Sequence, residues 1–361
     1  MKERILSVDI FRGLTIALMV LVNTPGTWSN VYAPFLHASW HGYTPTDLVF
    51  PFFLFIVGTS IVFAYKNKKT NSGTYKKITI RTLKLIGLGL FLGAFTLSFP
   101  FLKDFADIRF PGVLQRIGVV FFFAAILFIN CNWKVLIGIC ATFLLGYWAL
   151  MTLIPVSGVA STLERAPNNL ANYLDVMVFG THNYKADYDP EGLLSTLPSI
   201  ATSLLGIFTG LILVSKRQKK EVLLAALGVI FLIVGHLWDL AFPINKALWT
   251  SSFVMVTAGW ANIVLALIYF LTDVKGIQFG SIFKKVGANA ITIYFLSSFI
   301  SKLMGMIKVG ETSLHGWLFN TVYVQGFMPI KMSSLLYGLS VVAFYLFLAQ
   351  ILYKRKIFIK V

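Results

Sequence analysis

His37 and His41 frame Trp40, and Asp47 follows just before the apolar run that opens at Leu48. Imidazole, with an unperturbed pKa of about 6.5, takes up a proton near neutral pH and releases it again, which is what general acid–base chemistry requires. Asn23 can offer an amide N–H to a developing oxyanion, and Gln115 and Arg116 add polar groups to another oily stretch. An arginine inside a membrane span costs about 2.5 to 3.5 kcal/mol, so Arg116 is expected to face inward with a partner, Asp47 being the nearest acid by depth. The plain alternative is an aromatic belt at an interface, built of Trp28, Tyr32, Phe35, Trp40 and Tyr43, with the histidines merely wetted.

The elements that must hold these groups are membrane helices. The chain of 361 residues is 57% hydrophobic and 12% charged, with a mean hydropathy of +0.78, far from the balance of soluble domains. Apolar stretches recur near the roughly 20 residues that a helix needs to cross about 30 Å of hydrocarbon, and they lack the alternation of barrel strands. Ten spans are expected, at residues 10–29, 47–65, 80–100, 112–130, 134–155, 194–214, 221–241, 250–271, 286–306 and 333–353. The fold class is therefore an all-α integral membrane bundle of about ten helices, read as one domain over 1–361. Asp9 and Arg12 open the first span, and no small-residue cleavage site follows, so it reads as a retained anchor.

Charge orients the bundle. Lys66, Lys68, Lys69, Lys76, Lys77, Arg81 and Lys84 fill the second connection, and Lys216, Arg217, Lys219 and Lys220 follow span six. Lys275, Lys284 and Lys285 precede span nine, while Lys354, Arg355, Lys356 and Lys360 close the chain. All fall on the side of the N-terminus, so the positive-inside rule places both termini in the cytoplasm. His37, His41 and Asp47 then face outward, as does the long connection 156–193. Its Asp187, Asp189 and Glu191 suit an ammonium group and make it a candidate acceptor-side lid, although a solvated acidic loop without a role has the same appearance.

Several function classes lack their residues. The net charge of +17 is spread over separate short loops, which argues against nucleic-acid binding. Cys131 and Cys140 suggest neither a disulfide framework nor a zinc site, and no metal is expected. No Walker, dinucleotide-binding or serine-elbow sequence occurs, which leaves phosphoryl transfer, redox and serine hydrolysis without support.

The strings "SVDIFRGLTIALMVLVN", "HASWHGYTPTDLVFPFFLFIVG", "RFPGVLQRIGV", "YDPEGLLSTLPSI", "NKALWTSSFV" and "LYKRKIFIKV" resemble, in the same order, the membrane core of the heparan-α-glucosaminide N-acetyltransferase family and its bacterial relatives. The resemblance implies transfer of an acetyl group from cytoplasmic acetyl-CoA to the amine of an amino sugar or glycan across the membrane, in a bacterial inner membrane. It also implies that His37, in "HASW", is the catalytic group and that Asn23, in "VN", is its partner. The family's usual residue at position 41 is asparagine, so His41 inherits no role. A histidine that the human member carries after "NSILVY" has no counterpart in "NAITIYFLSSF", and its role does not transfer.

His37 then serves either as general base towards a sugar amine or as a covalent acetyl carrier. Asp47, Arg116, Gln115 and Trp40 are expected to support the site. Arg12, with Asp9 and Asn289, is expected at the inner mouth where the anionic end of acetyl-CoA enters. Besides acetyl-CoA and the acceptor, membrane lipid is a partner, and a homodimer is compatible with the sequence. An O-acyltransferase of a cell-envelope glycan, or less readily a secondary transporter with proton coupling through His37, remains open. A transporter should gather its polar groups near mid-membrane, whereas these cluster at the outer ends of spans one, two and four.

Overall fold

The computed structural model describes residues 5–68 and 70–359; Lys69 and Lys360, counted above among the orienting charges, lie outside the described residues. The described chain folds into helices α1 (Leu6–Asn23), α2 (Pro45–Tyr65), α3 (Ser72–Ala94), α4 (Val113–Asn130), α5 (Trp133–Leu153), α6 (Leu170–Phe179) and α7 (Thr196–Leu213). They are followed by α8 (Lys220–Asp239), α9 (Ser251–Tyr269), α10 (Ser281–Ala288), α11 (Ala290–Met306), α12 (Leu314–Leu318) and α13 (Ile330–Lys354). Among the described residues the one sheet is a hairpin of β1 (Lys308–Val309) and β2 (Thr312–Ser313).

Each expected span falls on a helix, with two corrections. Among the described residues eight helices are long and apolar enough to cross a membrane, and α10 with α11, bent by 81°, makes a ninth if the pair is one span. The tenth, α3, starts at Ser72 rather than residue 80, because the Asn71 side chain caps it by accepting the Thr74 N–H at 2.9 Å. Lys76, Lys77, Arg81 and Lys84 therefore ride on the helix itself instead of lying in a connection, and α3 fails the apolarity expected of a span.

Burial separates the centre from the rim. The apolar windows of α2 and α7 are 72% buried, whereas that of α8 is 17% buried, so α2 and α7 form the axis and α8 presents its side chains outward. The axis is tight because Gly58 and Gly206 let backbones touch. A Cβ at Gly58 would lie 1.9 Å from the Ser203 carbonyl oxygen, and one at Gly206 would lie 2.0 Å from that of Phe55. The connection 156–193 is also packed down: Val156, Leu170 and Ala171 join Tyr147, Met151, Phe242 and Leu248 in a small second core. Two loops are thereby held over the start of α2, where Asp47 stands.

Candidate active site

Asp47 occupies the first turn of α2, and the local sequence explains its orientation. Pro45 starts the helix, and the Asp47 carboxylate reaches back to accept the Thr44 N–H at 2.9 Å, half of a capping box. The same oxygen takes the Ala38 N–H at 3.0 Å and the Thr44 hydroxyl at 3.2 Å. Its other oxygen lies 2.6 Å from His37 Nδ1. An ionised carboxylate only accepts, so Nδ1 carries the proton and Nε2 presents its lone pair. The Asp47 side chain is 1% exposed and that of His37 48%, so a buried anion holds a half-exposed imidazole.

The third member of the group is Lys246, which the sequence reading missed. Its Nζ lies 3.1 Å from both ring nitrogens of His37 and 3.8 Å from Asp47. With Nδ1–H aimed at Asp47, only Nε2 can accept from the ammonium. A tight turn between α8 and α9 presents this lysine. Asn245 Oδ1 accepts the Leu248 N–H at 2.9 Å, the Asn245 N–H reaches Thr250 Oγ1 at 3.0 Å, and Trp249 adopts a left-handed φ of 53°. The Gly42 N–H donates to the Ile244 carbonyl at 2.7 Å, tying this turn to the His37 loop. Burial lowers the Lys246 pKa, while the Asp47 and Glu191 carboxylates work to raise it.

Arg116 does not pair with Asp47. Its guanidinium donates to the Gly192 carbonyl at 2.7 Å, to Ser195 Oγ at 2.7 Å, to Ser199 Oγ at 2.6 Å and to the Ser195 carbonyl at 3.3 Å. It also lies 5.6 Å from the centre of the Trp249 ring, so it braces the Lys246 turn and the entry to α7. Depth in the bilayer had suggested Asp47, but the two side chains point to different neighbours. Gln115 fills the close contact of α4 with α3 at Gly89. Asn23 is exposed at the end of α1 and, among the described residues, makes no hydrogen bond to the His37 group.

The acidic residues of 156–193 are already engaged. Arg109 Nε donates to Asp189 at 2.8 Å, and its Nη2 reaches both Asp189 and Glu191. Burial opposes the Arg109 charge, yet these carboxylates outweigh it and raise its pKa. Asp189 is 2% exposed and also accepts the Tyr184 and Glu191 N–H groups, so it scaffolds the loop rather than offering a site to an acceptor. Asp187 pairs with Arg165 on the surface. Trp40 donates to the Leu163 carbonyl at 3.0 Å and His41 contacts Glu164 at 3.1 Å, so both clasp the loop edge instead of joining the His37 group.

At the other end of α2 lies a cavity of about 540 Å³. Arg12, Lys77, Arg81 and Lys84 supply four cations to its wall, alongside Ser60 and Asn289, and Phe53, Ile56, Ile61 and Phe121 supply apolar surface. Arg12 donates to Ser60 Oγ at 2.7 Å and to the Gly287 carbonyl at 3.3 Å, and pairs with Asp9 at 3.4 Å. Asn289, at the α10–α11 bend, exchanges hydrogen bonds of 3.0 Å with Ile357 and Ile359 and so ties down the chain after α13. Such a wall suits an anion with an apolar arm. At about 1.5 Å per residue, the lining from Tyr65 to Phe53 spans about 18 Å of α2, and Asp47 lies about 9 Å beyond.

Membrane helices that hold an aspartate-backed histidine at one end of α2 and a cationic cavity at the other define an integral membrane protein. A family model described as "Heparan-alpha-glucosaminide N-acetyltransferase, catalytic" matches residues 4–237. Heparan-alpha-glucosaminide N-acetyltransferase of Mus musculus is 30% identical over 422 residues, covering 99% of this chain and 61% of its own length. The protein of the same name from Homo sapiens is 32% identical over 357 residues, covering 81% of this chain and 52% of its own. The chain belongs to the heparan-alpha-glucosaminide N-acetyltransferase catalytic family, and it spans about half to three-fifths of the length of these curated relatives.

Proposed function

We propose that the chain carries an acetyl group from acetyl-CoA, bound in the cationic cavity from the cytoplasmic side, to the amine of an amino sugar at the His37 end of α2 on the outer side. One observation carries the reading: a single helix, α2, lines the cavity from Tyr65 to Phe53 and holds Asp47 against His37 at its start. The nucleotide phosphates meet Arg12, Lys77, Arg81 and Lys84, and the pantetheine arm follows the apolar wall towards His37.

His37 Nε2 takes a proton from the acceptor ammonium while Asp47 holds the imidazole and balances its charge. The freed amine attacks the thioester carbonyl, the C–N bond forms and the C–S bond breaks. The departing CoA sulfur then takes the proton from His37, and the freed imidazole takes the second proton that the acylated nitrogen sheds and releases it to solvent. A half-exposed histidine with Nδ1 held by Asp47 and a lone pair on Nε2, met there by the Lys246 ammonium, supports this general-base route. Both termini lie in the cytoplasm in this reading, which places the acetyl-CoA mouth there as well.

The test incubates the purified protein in detergent with isotope-labelled acetyl-CoA and glucosamine, galactosamine, N-acetylglucosamine or a neutral glycan. Gain of one labelled acetyl group on the free-amine sugars alone, lost in His37→Ala, is the expected result. Labelled hydroxyls on the neutral glycan would make the protein an O-acyltransferase, and unlabelled products throughout would end the acyl-transfer reading.

A further inference from the structure

We infer that Lys246 is a third catalytic residue, the donor that holds the negative charge on the thioester carbonyl oxygen while the acceptor amine attacks; the inference rests on the acyl-transfer reading above. Its Nζ already lies 3.1 Å from the imidazole that must accept the amine proton. His37 Nε2 cannot hold the Lys246 ammonium and receive the acceptor's proton together. Arrival of the acceptor therefore displaces Lys246 by a short swing, leaving its N–H groups beside the reacting carbon.

Asp47 steadies the ammonium without using up its N–H groups: Oδ2 accepts from the Ala38 N–H, the Thr44 N–H and the Thr44 hydroxyl, Oδ1 accepts from His37, and Lys246 pairs with Oδ1 at 3.8 Å, longer than a hydrogen bond. Other donors are unsuited. The N–H groups of Ala38 and Thr44 are spent on Asp47, and Asn23 stands exposed at the end of α1 with no bond to the group.

The mounting of Lys246 points the same way. Asn245 is fully buried and pins the turn at both ends, and the Trp249 N–H of the indole bonds Thr202 Oγ1 at 3.1 Å. The Lys246 side chain is only 21% exposed, so its charge acts where water screens it little. In the step itself the carbonyl π pair moves to oxygen as the C–N bond forms, and a Lys246 N–H donates to that oxygen. When the C–S bond breaks the pair returns, and Lys246 keeps its protons.

Lys246→Met and Lys246→Gln in the full chain, assayed in detergent with labelled acetyl-CoA and glucosamine, test the assignment. Loss of one preorganised oxyanion donor typically costs about 10²- to 10³-fold in kcat, so the Met variant should fall by that much with KM for acetyl-CoA unchanged. Lys246→Gln, which keeps a neutral donor, should lie between. Should the Met variant not fold, judged by size exclusion and thermal melting, Lys246→Gln is held to the same criterion of lower kcat at unchanged KM. Wild-type kcat in a folded variant, or a loss confined to KM for glucosamine, overturns the inference while leaving acyl transfer intact. A wild-type protein that acetylates no acceptor overturns both.

Discussion

Replacing Asp47 by Asn should disable the site while leaving the bundle folded. The carboxylate now accepts four hydrogen bonds, one from His37 and three from Ala38 and Thr44. The Asn oxygen can keep the three donors of the helix start, so the structural loss is the charge assistance, about 1 to 2 kcal/mol. Its NH₂ group then faces His37 Nδ1, and the donor–donor clash forces the proton from Nδ1 to Nε2. Nε2 is the nitrogen that must receive the acceptor's proton, so the general base is lost. A base contributes about 10²- to 10⁴-fold, equivalent to about 3 to 5 kcal/mol of barrier. Single-turnover acetylation of glucosamine, measured beside a thermal melt, should show kcat reduced within that range and a melting temperature within a few degrees of wild type. Full kcat in a folded Asp47→Asn protein would refute the tautomer reasoning.

In a background lacking Cys131 and Cys140, a cysteine at exposed Ser72 should be shielded from impermeant thiol reagents in intact cells and one at exposed Ala186 should react; the reverse pattern would invert the membrane orientation. Arg116→Met removes the charge-assisted bonds to Ser195 Oγ, Ser199 Oγ and the Gly192 and Ser195 carbonyls, and although Thr196 Oγ1 and the Ser199 N–H still serve those carbonyls, the melting temperature should fall. Adding Asp47→Asn should restore nothing, and a clear recovery would reinstate the pairing that sequence depth suggested. Burial pushes the Asp175 carboxyl up to about 7, so the folded state holds that proton more tightly than the unfolded one. Its contribution to stability is full below about pH 4 and declines as pH rises towards 7; Asp175→Asn should flatten the melting temperature across that window, and an unchanged slope would remove Asp175 as its source.

The spans were legible because each is a long apolar stretch, and hydropathy needs no partner to be read. The start of α3 was not, since Lys76, Lys77, Arg81 and Lys84 read as a loop although Asn71 caps a helix ahead of them. The 81° bend at Asn289 carries no proline to announce it. Within the site, His37 stands in the loop that leads into α2 and Asp47 in the first turn of that helix, ten residues on, so local sequence brings them together. Lys246 is 209 residues from His37, and a lone lysine near the end of a span is indistinguishable from a topology signal. Its one trace in the sequence is the string "NKALWTSSFV", in which no local signal marks what the lysine touches. For Arg116 the sequence gives depth alone, which fixes height in the bilayer but not direction around the helix.

Transfer across the bilayer is best tested in sealed proteoliposomes with glucosamine trapped inside and labelled acetyl-CoA added outside. The account predicts labelled N-acetylglucosamine in the lumen, made by the molecules whose basic loops face out and absent with His37→Ala. Label formed only when donor and sugar share one compartment, or formed equally well by His37→Ala, would contradict it.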